Sequence, residues 1–289
     1  MKRIIFVILL SMLILSLLAA CSGNNPVVTA VPDQPTPTEE PMALKVNGEG
    51  ITMTEYQSEL TRLQDALTQQ GVSNTAEEQR NRVINDFTDQ LLLAQAATQA
   101  GYVVDDATLQ TRIDALASQM GGLDRLQAWQ SEYGYTDASF RIAFKRSIAA
   151  AWQRDQIVNG VPTMADQVHA RQILVQEEAN ADLYYQQIQN GTVFAELAYT
   201  LDPATGGDLG WFPKGYLTQP EVEEAAFALQ PGEYSEVIKS TLGYHIIFVI
   251  ERDPAHALSV DARSVLQQNA LDEWLAASRA AATIEVLVQ

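Results

Sequence analysis

The chain has 289 residues, with 36 acidic against 18 basic side chains and a formal charge of −18. That balance repels nucleic acid and anionic surfaces, and no basic run interrupts it, so nucleic-acid binding is excluded. Three histidines and one cysteine leave no metal-ligand cluster and no internal disulfide, so neither a metal nor a cofactor is expected.

Residues 1–20 read as an export signal. Lys2 and Arg3 supply the positive end, Ile4 to Leu18 is almost wholly apolar, and Leu18-Ala19-Ala20-Cys21 closes the segment with small residues before the lone cysteine. The run is short for a spanning helix, which needs about 20 apolar residues. Leu18 to Cys21 resembles a lipobox, which implies a lipid on Cys21 and an extracytoplasmic protein anchored to a bacterial membrane. Losing Lys2 and Arg3 with the signal takes the charge from −18 to −20. Residues 21–41 carry Pro26, Pro32, Pro35, Pro37 and Pro41 and read as a disordered tether.

Residues 42–160 read as a helical domain. Leu44 to Gly48 is a short strand ending in a turn. Helices follow from Thr52 or Thr54 to Gln70, from Ala76 to Ala100, from Asp105 or Asp106 to Met120, from Leu123 to Tyr133 and from Thr136 or Asp137 to Val158. The texture changes after Asn159-Gly160-Val161-Pro162. Residues 163–253 offer a strand at Gln167 to Val175, helices at Glu177 to Asn190 and Phe194 to Thr200, and a glycine-rich loop from Asp202 to Gly210. A helix at Pro220 to Leu229 and strands at Tyr234 to Lys239 and Tyr244 to Glu251 complete a compact β-α3-β2 unit. Residues 256–289 return to a helix, Val260 to Ala281, and a closing strand, Thr283 to Val288, whose partner is the strand at Leu44 to Asn47. The α+β unit is thus inserted into a mainly helical domain built from both ends of the chain.

Four blocks of this unit are similar to parvulin-type peptidyl-prolyl isomerases. They are Val168-His169-Ala170-Arg171-Gln172-Ile173-Leu174-Val175, Gly206-Gly207-Asp208-Leu209-Gly210-Trp211-Phe212, Glu223 to Leu229 with Gly232-Glu233, and Gly243-Tyr244-His245-Ile246-Ile247. They come in the family's order and spacing, which implies its FKBP-like fold. The flanking helices resemble those of PrsA- and SurA-type extracytoplasmic foldases, which implies a SurA-like N-terminal chaperone domain completed by the C-terminal helix.

The resemblance implies a rotamase with unfolded or partly folded exported proteins, through their X-Pro bonds, as partners. Amide rotation needs no nucleophile, metal or cofactor, only a site that fits the twisted amide better than either planar isomer. By resemblance the prolyl ring sits among Leu217, Val222 and Phe227, and Gln172, Asp202, Ser240 and His245 form a hydrogen-bonded cluster beside the amide. Two departures stand out. Gln172 occupies a position usually held by His, and Val222 one usually held by Phe, so reduced isomerase activity is expected. The competing expectation is a holdase chaperone whose parvulin unit turns over weakly or not at all. The sequence does not give the oligomeric state.

Overall fold

The structure is a computed structural model that describes residues 40–288. The expected signal, Cys21 and the tether up to residue 39 lie outside them.

Met42–Val46 (β1) and Glu49–Thr52 (β2) form an antiparallel hairpin about Asn47-Gly48, both with positive φ, 53° and 85°. Asn-Gly is the pair that a two-residue hairpin turn favours, because both central residues must enter left-handed space. The sequence reading took the turn but missed β2, whose four residues include a glycine and show no clear alternation.

Met53–Gln70 (α1) starts at Thr52, whose side chain accepts the Glu55 N–H. Ala76–Gln99 (α2) and Asp137–Gly160 (α5) each begin with a capping box, Thr75 with Glu78 and Thr136 with Ser139. Asp106–Met120 (α3) and Leu123–Glu132 (α4) lie between them. One core packs Leu93, Ala97, Ile113, Leu126 and Phe140 together; a second packs the hairpin's Leu44, Val46 and Ile51 against Tyr56, Phe87 and Leu91.

Met164–Val175 (β3), Glu178–Gln189 (α6), Phe194–Leu201 (α7), Asp208–Pro213 (β4), Pro220–Ala228 (α8), Ile238–Ser240 (β5) and Gly243–Ala257 (β6) follow. The four strands form one antiparallel sheet in the order β4-β3-β6-β5. The sheet has one strand more than the sequence reading gave it, because β4 begins inside the stretch read as a loop. In addition, β5 is shorter than expected, and β6 runs past Glu251 to Ala257, where it pairs with Met164.

Side chains alternate across this sheet as the strand period requires. Val168, Ala170, Ile247 and Val249 face α8 with Phe212, Val222, Ala226 and Phe227. Ile173 and Ile246 face α6 and α7 with Ile188, Phe194 and Leu197.

Val260–Ala281 (α9) returns to the helical part, where Leu271, Trp274 and Leu275 pack on the first core. Arg279 grips Asp89 with two bonds of 2.6 and 2.7 Å. Ile284–Val286 (β7) then pairs antiparallel with β1, Leu44 opposite Val286, giving a sheet ordered β2-β1-β7. Among the described residues no helix is long and apolar enough to cross a membrane.

Candidate active site

The α8 face of the large sheet ends in a polar cluster. Leu174 pairs with His245 and Gln172 with Ile247, and the strand period sends Gln172 and His245 to the same face as Ile247 and Val249. His245 is 2% exposed. Its Nδ1 lies 2.9 Å from Gln172 Oε1, and its Nε2 lies 2.6 Å from Ser240 Oγ. Gln172 Oε1 only accepts, so Nδ1 carries the proton and the serine hydroxyl donates to Nε2. Ser240 Oγ in turn accepts the Leu242 N–H at 2.9 Å. Burial pushes His245 below its ordinary value, with only partial opposition from the Glu221 carboxylate. Burial thus favours the neutral imidazole, which is hydrogen-bonded at both ring nitrogens.

The Asp202 carboxylate, which the resemblance assigned to the cluster, makes its hydrogen bonds within its own loop. It accepts N–H groups of Ala204, Thr205 and Gly207 at 3.1, 3.2 and 3.3 Å, and the Thr205 hydroxyl as well. These bonds, the Thr205 hydroxyl first, hold the carboxyl below its usual range. An Asp-Pro-Ala-Thr turn saturates its own carboxylate, which leaves nothing to direct at His245. The link to the site is through the backbone. Gly207 O accepts the Gln172 N–H at 2.8 Å, and a Cβ on Gly207 would lie 1.9 Å from Gln172 O. With φ at +69°, only glycine fits there.

The apolar triad divides. Val222, 2% exposed, and Phe227, 7% exposed, are members of the core beneath α8, and Phe227 also borders a shallow depression beside Lys214. Leu217 is half-buried at the margin of the same cluster. The valine's short side chain ends inside the core, and the Phe227 ring is turned edge-on to Phe212, centroids 6.1 Å apart.

Two residues missed in the sequence complete the surroundings. Leu209 is the extra residue of a bulge between the Ala170–Gly210 and Arg171–Asp208 pairs, with Gly210 at φ +66°. The bulge aims Leu209 at the core that Leu217 borders. Its signal, Gly-Gly-Asp-Leu-Gly, was visible but read as loop. Glu223 accepts the N–H groups of Gly215, Tyr216 and Leu217 at 2.6, 3.0 and 3.0 Å and so pins the segment that carries Leu217. Nothing in the sequence separated it from its neighbours Glu221 and Glu224.

Residues 165–251 match the family described as PPIC-type PPIASE domain, and residues 1–140 match the SurA-like N-terminal domain. The chain thus carries a parvulin-type (PPIC) module behind a SurA-like N-terminal region. A foldase protein PrsA of Caldanaerobacter subterraneus is 51% identical over 85 residues, 28% of each chain. A foldase protein PrsA of Halalkalibacterium halodurans is 41% identical over 123 residues, 38% of this chain and 37% of the relative. A PrsA peptidylprolyl isomerase structure from Bacillus anthracis shares 27% identity, with 64% of this chain and 88% of that chain covered and a TM-score of 0.38. The matched stretch thus spans less than two-fifths of the length of these curated PrsA relatives.

The SurA-like part has a feature of its own. A cavity of about 450 Å³ opens among Phe87, Met120, Trp129, Tyr135, Phe140 and Phe144, with a buried Arg146–Glu55 ion pair in its wall.

Proposed function

We propose that this chain is a peptidyl-prolyl cis-trans isomerase that assists folding of exported proteins. Its substrates are unfolded or partly folded chains with X-Pro bonds. The observation that carries the reading is the neutral Gln172–His245–Ser240 network set on the same sheet face as Leu209, Leu217 and Val222. Rotation about the prolyl amide crosses about 18–20 kcal/mol, a barrier that resonance creates and water sustains by solvating the charge-separated form. A prolyl ring resting on Leu209 and Leu217, over the floor made by Val222, removes water from one side of the amide. The fixed dipoles of the cluster then favour the twisted amide over either planar form. Glutamine suffices at position 172 because its acceptor already fixes the imidazole tautomer. Asp202 acts as an organiser of the loop behind Gln172. Lipidation at Cys21 would hold the protein on the outer side of a bacterial membrane, a reading that rests on residues 1–21 alone.

The test is isomerisation of an Ala-Pro peptide by residues 22–289. The parent accelerates exchange, and Gln172→Leu or Ser240→Ala lowers kcat/KM by about 10- to 100-fold, the scale of losing oriented polar contacts in a site. Unchanged rates in both variants would remove the cluster from the mechanism.

The cavity of the helical domain favours a second activity beside the first. Its aromatic walls suit apolar side chains of unfolded clients, so the chain should slow aggregation of an unfolded protein. Suppression that survives Ser240→Ala and is lost on Phe144→Asp would separate the two activities; a chain that slows no aggregation has no holdase role.

A further inference from the structure

Helix α8 begins Pro-Glu-Val-Glu-Glu, and its three glutamates have different surroundings. Glu223 is tied to three backbone N–H groups. Glu224 is exposed and lines a shallow depression with Lys214 and Phe227. Glu221 is half-buried and, among the described residues, has no cation paired to it. Its place is fixed by the start of the helix. Gln219, the residue preceding α8, accepts the Thr241 hydroxyl at 3.0 Å, and so docks the helix start against the turn that follows Ser240. Glu221 is thus carried on the first turn of α8, next to Val222, at the end of the helix docked beside Ser240, and its charge bears on the imidazole of His245.

Other charges nearby do not neutralise it. Lys239 lies over the Tyr244 ring at 5.6 Å, on the next strand position from Ser240 and hence on the opposite face. Lys214 lies over Phe227 at 5.2 Å, near the far end of α8. Glu178, which accepts the Tyr244 hydroxyl at 3.2 Å from the start of α6, lies on that opposite face as well and adds no charge to the site. Glu221 therefore stands without a neutralising cation among the described residues, within a chain of net charge −18.

We propose that Glu221 makes this site selective for prolines flanked by lysine or arginine. The inference rests on the isomerase reading for its location but concerns recognition, and binding alone can test it. A partly buried carboxylate without a cation is stabilised when a client supplies one, while a client carboxylate in the same place is repelled. The preference lies in the peptide's charge rather than its shape.

The experiment measures Kd by fluorescence anisotropy for labelled peptides differing only beside proline, Lys-Pro and Pro-Lys against Ala-Pro and Glu-Pro, together with their isomerisation rates. At low salt a lysine peptide should bind about threefold to fivefold more tightly than its alanine counterpart, the range of a half-exposed ion pair. The difference should shrink in 0.5 M salt, where the screening distance is about 4 Å against about 30 Å at 0.01 M. Glu221→Gln should abolish the preference, and Glu221→Lys should turn it towards Glu-Pro. Equal Kd across the series, a preference unchanged in Glu221→Gln, or no binding of any peptide would overturn the proposal. Charge-selective binding without isomerisation of any peptide would instead sink the isomerase reading and leave this inference standing.

Discussion

The two halves of the described chain handle interior polarity in opposite ways. In the parvulin module the buried polar groups are neutral: His245 lies between Gln172 and Ser240, and the Ser235 hydroxyl accepts the Ile247 N–H at 2.9 Å and donates to Glu236 O at 2.7 Å. In the helical domain the wall of the cavity holds a full ion pair, Arg146 with Glu55, whose side chains are 6% and 13% exposed, supported by Gln90 at 2.8 Å. Neutral networks lose little on leaving water and hold geometry, which a site for amide rotation needs. A buried ion pair gives up far more hydration and is tolerable only while both partners remain. Burial outweighs the pull of Arg146 and raises the Glu55 carboxyl above its usual range. The comparison teaches that the helical half should fail sharply at one residue, and the module more gradually.

The sharpest test of that contrast is Arg146→Ala. It leaves Glu55 buried without its cation and should cost about 3–5 kcal/mol of stability. Measured by urea unfolding, the loss should narrow as pH falls and protonation removes the Glu55 charge; a loss below about 1 kcal/mol would show that the pair is effectively hydrated. Next comes Gly207→Ala in the module. Its Cβ meets the Gln172 carbonyl oxygen and its φ is positive, so a loss of about 3 kcal/mol is expected, accompanied by a fall in isomerisation. Full stability there would mean that the loop relaxes away from β3.

The smallest effect is a pH slope. His245 in the folded chain titrates below its ordinary 6.5, so as pH falls the unfolded chain takes up a proton first. The contribution is therefore fully present above pH 6.5 and is lost as pH falls through the folded value, by at most about 1.4 kcal/mol per pH unit. Subtracting the profile of His245→Asn from that of the parent between pH 7.5 and 5.5 isolates it; parallel profiles would place the neutral network in doubt.

What could be read in the sequence follows the range of the forces involved. Helix starts were legible because Thr52, Thr75 and Thr136 cap their helices locally. The four parvulin blocks gave the module and brought Gln172, Ser240 and His245 together. Strand β4 was hidden because its bulge and glycines look like loop until β3 pairs with it. The end of β6 was masked by Arg252-Asp253-Pro254, yet Pro254 falls at a register shift between the Gln167–Asp253 and Ala165–His256 pairs, where a missing N–H is tolerated. Asp202 shows the remaining limit. The resemblance put a carboxylate in the cluster, but where a carboxylate directs its bonds depends on the fold of its own loop.

The pairing of β1 with β7 has a consequence in time. Leu44 meets Val286 across almost the whole described chain, whereas the parvulin sheet closes between Met164 and Ala257. Contacts between residues far apart in sequence form late, because the loop they close must be ordered first. During synthesis from the N-terminus, β1 emerges early and waits without its edge partner until the last residues follow. The module in the middle meets no such delay. The inserted unit is therefore expected to acquire its structure before the domain that frames it, so the framing helices assemble around a module already folded.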